Sequence, residues 1–149
     1  MSNDSDKFEG AIKRGSLEDT FGFLLIAPWR DVSRGFRRHF RVADVSPQQY
    51  ATLILVNLNP GCSTGDLSEP LGITANNIVK LVDDLAQRGF LAKTIAAHDR
   101  RVRILHLTPK GRDFLADLHA IHAEYTAEYE AKLGKANVAH LTEILRLFS

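Results

Sequence analysis

The change of hydrophobic period between Ile73 and Gly111 restricts this chain more than any other feature of its sequence. Ile78, Leu81, Val82 and Leu85 recur at three- and four-residue intervals, as one buried helix face requires. Thr74 precedes them as a cap for the free amides of the first turn, and Gly89, within Arg88-Gly89-Phe90, supplies a left-handed residue to close the last one. Phe90 to Ile95 and Val102 to Leu107 are then rich in strand-forming residues. The second alternates, with Val102, Ile104 and His106 on one face and Arg103, Leu105 and Leu107 on the other. Between them Ala96-Ala97-His98-Asp99-Arg100-Arg101 makes the charged tip of a hairpin. Thr108-Pro109 caps and opens another helix, because proline at the first position gives up a donor that has no helical partner there.

A helix of this kind buries one face and leaves Ala75, Asn76, Asn77 and Lys80 pointing outward at its amino end. Short amides and a cation suit base edges and phosphates. At the hairpin tip, Arg100 and Arg101 carry weakly hydrated, permanent charge suited to a narrow minor groove, and Asp99 is placed to hold the Arg101 fork.

Five segments then resemble, in order and spacing, the winged helix-turn-helix of the MarR-type (multiple antibiotic resistance) transcription regulators. They are Leu71-Gly72-Ile73-Thr74, Leu81-Val82-Asp83-Asp84-Leu85, Arg88-Gly89-Phe90, Asp99-Arg100-Arg101 and Leu107-Thr108-Pro109-Lys110-Gly111. Each is weak alone, and five in register make a specific match. The resemblance implies a homodimeric, DNA-binding repressor or activator, often released by a small aromatic or phenolic effector or by thiol oxidation. Pro28, Pro70, Ala75 and Asp84 depart from the usual pattern of that family.

The net charge of +1 does not announce nucleic acid, but its distribution does. From Lys93 to Arg112 six basic residues face Asp99 alone, whereas from Asp113 onward three basic residues face six carboxylates. One basic end and one acidic end are the footprint of a molecule that offers a single face to phosphate. The single cysteine excludes an intramolecular disulfide and suits a reducing cytoplasm. The apolar run 21–28 is too short for a membrane span and starts too late for a signal peptide.

Along the chain, residues 1–16 read as a flexible tail. Residues 17–40 carry an apolar stripe, Phe21, Leu25, Trp29, Val32, Phe36 and Phe40, which predicts a helix kinked or broken near Leu24 by Pro28. Arg30, Arg34, Arg37, Arg38 and Arg41 form a second basic run, read first as a solvated face and second as a contact for a ligand anion or the DNA backbone. Ser46-Pro47 starts a helix to Leu58, which Asn59-Pro60-Gly61 ends. Ser63 to Leu71 is expected to be the positioning helix, with Ser63 as cap and Pro70 shortening it. A long helix to about Leu133 and a last one from Asn137 to Phe148 follow, separated by Gly134.

Together these describe a mainly α protein with a small β-wing (α+β), one domain over 1–149. A winged helix-turn-helix lobe at 46–111 is flanked by dimerisation helices at 17–40 and 113–149. The expected DNA contacts are Ser63, Thr74, Ala75, Asn76, Asn77, Lys80, Asp99, Arg100, Arg101 and Arg103, on a double-stranded, pseudo-palindromic operator. An effector is placed near Trp29, Val32, Phe36 and Tyr50, where the resemblance puts a pocket.

Other chemistry is thin. His119 and His122 are one turn apart but have no further ligand pair for zinc, Cys62 lies beside a helix start that lowers a thiol pKa, and His98-Asp99 has no nucleophile with it. No cofactor, metal or enzyme activity is expected. A winged-helix module that binds another protein instead of DNA remains the alternative, which Ala75, Asp84, Pro70 and the low net charge permit.

Overall fold

A computed structural model describes residues 14–95 and 103–148 of the chain, which divides into two compact units after Arg34. In the first unit a 3-10 turn, Gly15–Asp19, leads into the short helix α1, Phe21–Leu24. The chain then breaks at Leu25, and α2, Ile26–His39, begins and runs on into the second unit. The break falls where proline chemistry places it, because Pro28 has no amide to return to the Leu24 carbonyl. Leu17, Phe21, Leu24, Leu25, Ile26 and Trp29 are all exposed.

The second unit starts from the end of α2. Phe40 follows it, buried, and a turn containing Asp44 at φ +50° brings the chain to α3, Pro47–Leu58. Ser46 and Gln49 form a reciprocal cap there. The serine hydroxyl accepts the Gln49 amide at 3.1 Å, and the Gln49 side chain accepts the Ser46 amide at 2.8 Å. Tyr50, Leu53 and Val56 face inward, while Leu58, expected in the same pattern, is 69% exposed because it lies at the fraying end.

The positioning helix is not the single element expected from Ser63 to Leu71. It starts as a 3-10 turn, Gly65–Leu67, and becomes a four-residue helix, α4, Ser68–Leu71. Gly65 and Pro70 explain this, one by its conformational freedom and the other by its missing donor. Gly72 at φ +61° then turns the chain into α5, Ala75–Gln87, the helix read from the sequence as the DNA reader. Ile78, Val82 and Leu85 on α5 are buried almost completely.

Strands β1, Leu91–Ile95, and β2, Arg103–Leu107, pair antiparallel with Leu91 opposite Leu107 and Ile95 opposite Arg103. An isolated β-bridge between Ser63 and Ile104 was not foreseen. The Gly61 amide donates to the Leu105 carbonyl at 2.9 Å and the Leu105 amide donates to the Cys62 carbonyl at 2.8 Å, so β2 is bonded on both edges. Helices α6, Pro109–Leu133, and α7, Lys135–Leu145, complete the fold, with a final 3-10 turn, Arg146–Phe148. Thr108 caps α6 by accepting the Gly111 amide at 2.9 Å. Phe40, Leu53, Ile78, Leu85, Leu105 and Leu118 form the centre of one core that joins α3, α5, the wing root and α6.

Arg88 ties the edges of this core together. Its guanidinium donates to the Asp44 carbonyl at 2.9 Å and to the Ala43 carbonyl at 3.1 Å, and lies 5.1 Å from the centre of the Phe90 ring. Phe90 in turn stacks on Phe114 at 4.0 Å. One planar fork thus links the turn before α3, the end of α5 and the start of α6. Replacing Arg88 by alanine is expected to remove about 2 kcal/mol of stability, the worth of two charge-assisted bonds and a partly buried stem. A urea midpoint equal to the parent's would refute that role.

Candidate nucleic-acid interface

The exposed side of α5 is built by its own periodicity. Because Ile78, Val82 and Leu85 turn inward, Ala75, Asn76, Asn77, Val79 and Lys80 are left on the surface over the first turns. Thr74 occupies the N-cap position, but its side chain does not cap as expected. Its backbone carbonyl takes the amides of Asn77 and Ile78, both at 3.0 Å, so its hydroxyl is uncommitted to the first turn. The first-turn amides and helix dipole therefore present positive potential beside two carboxamides and an ammonium.

Ser63 plays a different part. Its hydroxyl and amide both donate to the Asp66 carboxylate at 2.8 Å. These bonds hold the Asp66 carboxyl below the ordinary carboxylate range. Asp84, which departs from the family pattern, accepts from the Gln49 side chain at 2.7 Å, so it joins the cap of α3 to α5. Lys93 pairs with Asp83 and anchors β1 to the outer edge of the same helix. These bonds fix the wing root relative to α5.

Arg103 is exposed at the start of β2, at the wing root. Asp99, Arg100 and Arg101, with His98 beside them, lie outside the described residues. Among the candidate effector residues, Phe36 and Tyr50 are buried, their ring centres 6.2 Å apart. Trp29 and Val32 belong to the first unit and are exposed, Trp29 by 70%.

Phe36 belongs to an aromatic cluster that periodicity did not foresee. It stacks on Phe40 at 3.9 Å and meets Tyr125 edge-on at 5.9 Å, and Tyr125 meets Tyr129 at 5.2 Å. The two tyrosines thus pack against the end of α2 within one chain. Tyr50 bonds His119 through its hydroxyl, 2.9 Å from Nδ1, and its ring lies 5.4 Å from that of His122. No group of three or more metal-ligating side chains occurs among the described residues.

Burial, and then His119 one turn away, push the His122 pKa below its ordinary value of 6.5. A histidine with a depressed folded pKa resists protonation in the native state. Its contribution to stability is whole above pH 6.5 and is lost as pH falls from there through the depressed value. Thermal midpoints should therefore decline on acidification over that window. A His122→Phe variant should decline less, and an unchanged pH profile would contradict the assignment.

Cys62 is half-buried, and burial together with the Asp66 carboxylate raises its pKa despite a backbone bond that acts the other way. Burial first and the Asp66 carboxylate second thus favour the thiol, against the thiolate expected beside a helix start.

A sequence model of the MarR family matches residues 43–102, from the turn before α3 into the wing. A protein assigned as the transcriptional regulator for the hcr operon of Thauera aromatica is 29% identical over 133 residues, covering 89% of this chain and 80% of that protein. The transcriptional repressor CouR bound to a 23-mer DNA duplex superposes with a TM-score of 0.89 at 30% identity, covering 93% of this chain and 99% of CouR. CouR bound to p-coumaroyl-CoA gives 0.82 at 29% identity, covering 93% and 97%. These relatives are regulators rather than enzymes.

Proposed function

Since the chain belongs to the MarR family of winged helix-turn-helix transcription regulators, we propose that it acts as a homodimeric, cytoplasmic repressor on a pseudo-palindromic operator. The observation that carries this reading is the uncovered amino-terminal face of α5, bearing Asn76, Asn77 and Lys80, in a fold that superposes on DNA-bound CouR. Each subunit sets residues Thr74 to Lys80 in a major groove, with Ser63 and Arg103 near the backbone and Asp99, Arg100 and Arg101 at the flanking minor groove. Asn76 or Asn77 reads adenine, since a carboxamide pairs both ways with its N6 and N7.

The effector proposed is a small aromatic acid carried as its CoA thioester. CouR supports the class by its own complex with p-coumaroyl-CoA. The exposed arginines Arg37 and Arg41 add the anion chemistry that a CoA phosphate needs. Such a ligand lowers operator affinity only by binding a different arrangement of the two reading heads more tightly.

The test is fluorescence anisotropy against the chain's own upstream duplex and a shuffled one, at two salt concentrations, with and without p-coumaroyl-CoA. Selective, steeply salt-dependent binding that the thioester releases, and that CoA alone does not, is the expected result. Equal, weak affinity for both duplexes would instead favour the protein-binding module. Arg101→Ala should weaken binding to every sequence and lower the salt slope by about one, whereas Asn77→Ala should relax choice at one base pair. An Arg101 variant with parental affinity at matched salt would remove the wing from the interface.

A further inference from the structure

Val79 is the only large hydrophobic residue exposed on α5, with 47% of its surface open. It stands four residues after Ala75, so the two share one flank of the helix. Asn76 and Lys80, also four apart, form the neighbouring stripe. Beyond them the outward residues Asp83 and Asp84 are charged and already bonded to Lys93 and Gln49. A β-branched side chain in a helix gives up rotamer freedom, and here nearly half of its surface stays open rather than packing to offset that loss. The major groove offers one apolar group at its base edges, the C5-methyl of thymine.

Resting on the operator-binding reading above, we propose that Ala75 and Val79 form a thymine-reading stripe beside the adenine-reading carboxamide of Asn76, so that each half-site carries A·T pairs where α5 enters the groove. The missing hydrogen-bonding group at Ala75, a departure when taken alone, then has a use, since a short methyl lets the helix come close enough for Val79 to touch the thymine. The polar stripe takes adenine N6 and N7, and the apolar stripe takes the methyl of a thymine in the same or the adjacent pair.

The probe is a duplex selected by the parent protein from a random-sequence pool, with each thymine of the half-site replaced in turn by deoxyuridine. Loss of the methyl should weaken the parent about fivefold per half-site at one or two positions. Val79→Ser should bind the thymine and uracil duplexes alike at those positions while keeping the parent's dependence on salt. Val79→Ala should fall between the two. Both substitutions are at an exposed site, and unchanged circular dichroism confirms the fold. If the parent selects a consensus but tolerates uracil everywhere, or if Val79→Ser keeps the uracil penalty, the thymine stripe is refuted while operator binding stands. If no consensus emerges, operator binding itself fails and the stripe with it.

Discussion

Gly111→Ala should be among the most damaging single-methyl substitutions in the chain, lowering stability by about 3 kcal/mol or more. A Cβ at Gly111 would stand 2.0 Å from the Phe90 carbonyl oxygen and 2.9 Å from its carbon. The obstruction is backbone, so no rotamer change relieves it. Nor can the two segments move apart cheaply. The Thr108 hydroxyl, which accepts the Gly111 amide, also donates to the Gly89 carbonyl at 2.7 Å, and the Thr108 amide donates to the Phe90 carbonyl at 3.1 Å. Separating α6 from the end of α5 therefore breaks the cap as well as the Phe90–Phe114 stack. The check is urea unfolding of the two proteins at equal concentration, where the alanine variant should show a much lower midpoint with a similar slope. A shift within error would mean that α6 starts elsewhere.

This contact also illustrates what the sequence could reveal. The motif Thr108-Pro109-Lys110-Gly111 predicts a capped helix, and the helix begins at Pro109 as expected. Glycine at the third position carries no signal of its own, because its reason is a carbonyl from a segment nineteen or more residues earlier in the chain. The same division recurs elsewhere. Ser46-Pro47 and Asn59-Pro60 are local punctuation, and α3 has the predicted bounds. The bridge at Ser63 has no signature in the sequence, because one bridging residue cannot display a period of two and the preceding Pro60-Gly61 reads as a turn.

Site residues follow the same rule. Outward positions on α5 follow from periodicity, and Ala75, Asn76, Asn77 and Lys80 are exposed as read. Val79 lies outside the inward stripe of Ile78, Leu81, Val82 and Leu85, yet an apolar residue gives no sign of a surface role until the fold leaves it exposed. Arg88 was read as part of a helix stop, yet its fork bonds carbonyls more than forty residues earlier, a relation with no local signature. His119 and His122 carry a surface reading from their sequence, and His119 is exposed while His122 is half-buried. The bond from Tyr50 to His119 joins α6 to α3 across a separation that no spacing rule reaches.

The second large effect concerns assembly. On the proposed homodimer, the double variant Ile144→Asp with Leu145→Asp should give a folded monomer that no longer binds DNA selectively. Helix α7 contains no buried residue, and Ile144 and Leu145 are 40% and 47% exposed beside the still more open Leu147 and Phe148. In a single chain, carboxylates at such positions remain in water and cost little. In a two-fold interface each substitution occurs twice, and unpaired buried charge costs about 3 to 5 kcal/mol. Sedimentation should then report a monomer with parental circular dichroism. Affinity for the selected duplex should fall at least about a hundredfold, because one reading head is left to bind one half-site at an affinity near that for random DNA. Persistence of the dimer would place the interface on other apolar residues, such as those of the first unit. A monomer that still bound the full operator as tightly as the parent would contradict the paired-head mechanism, since one reading head with its wing spans only one half-site.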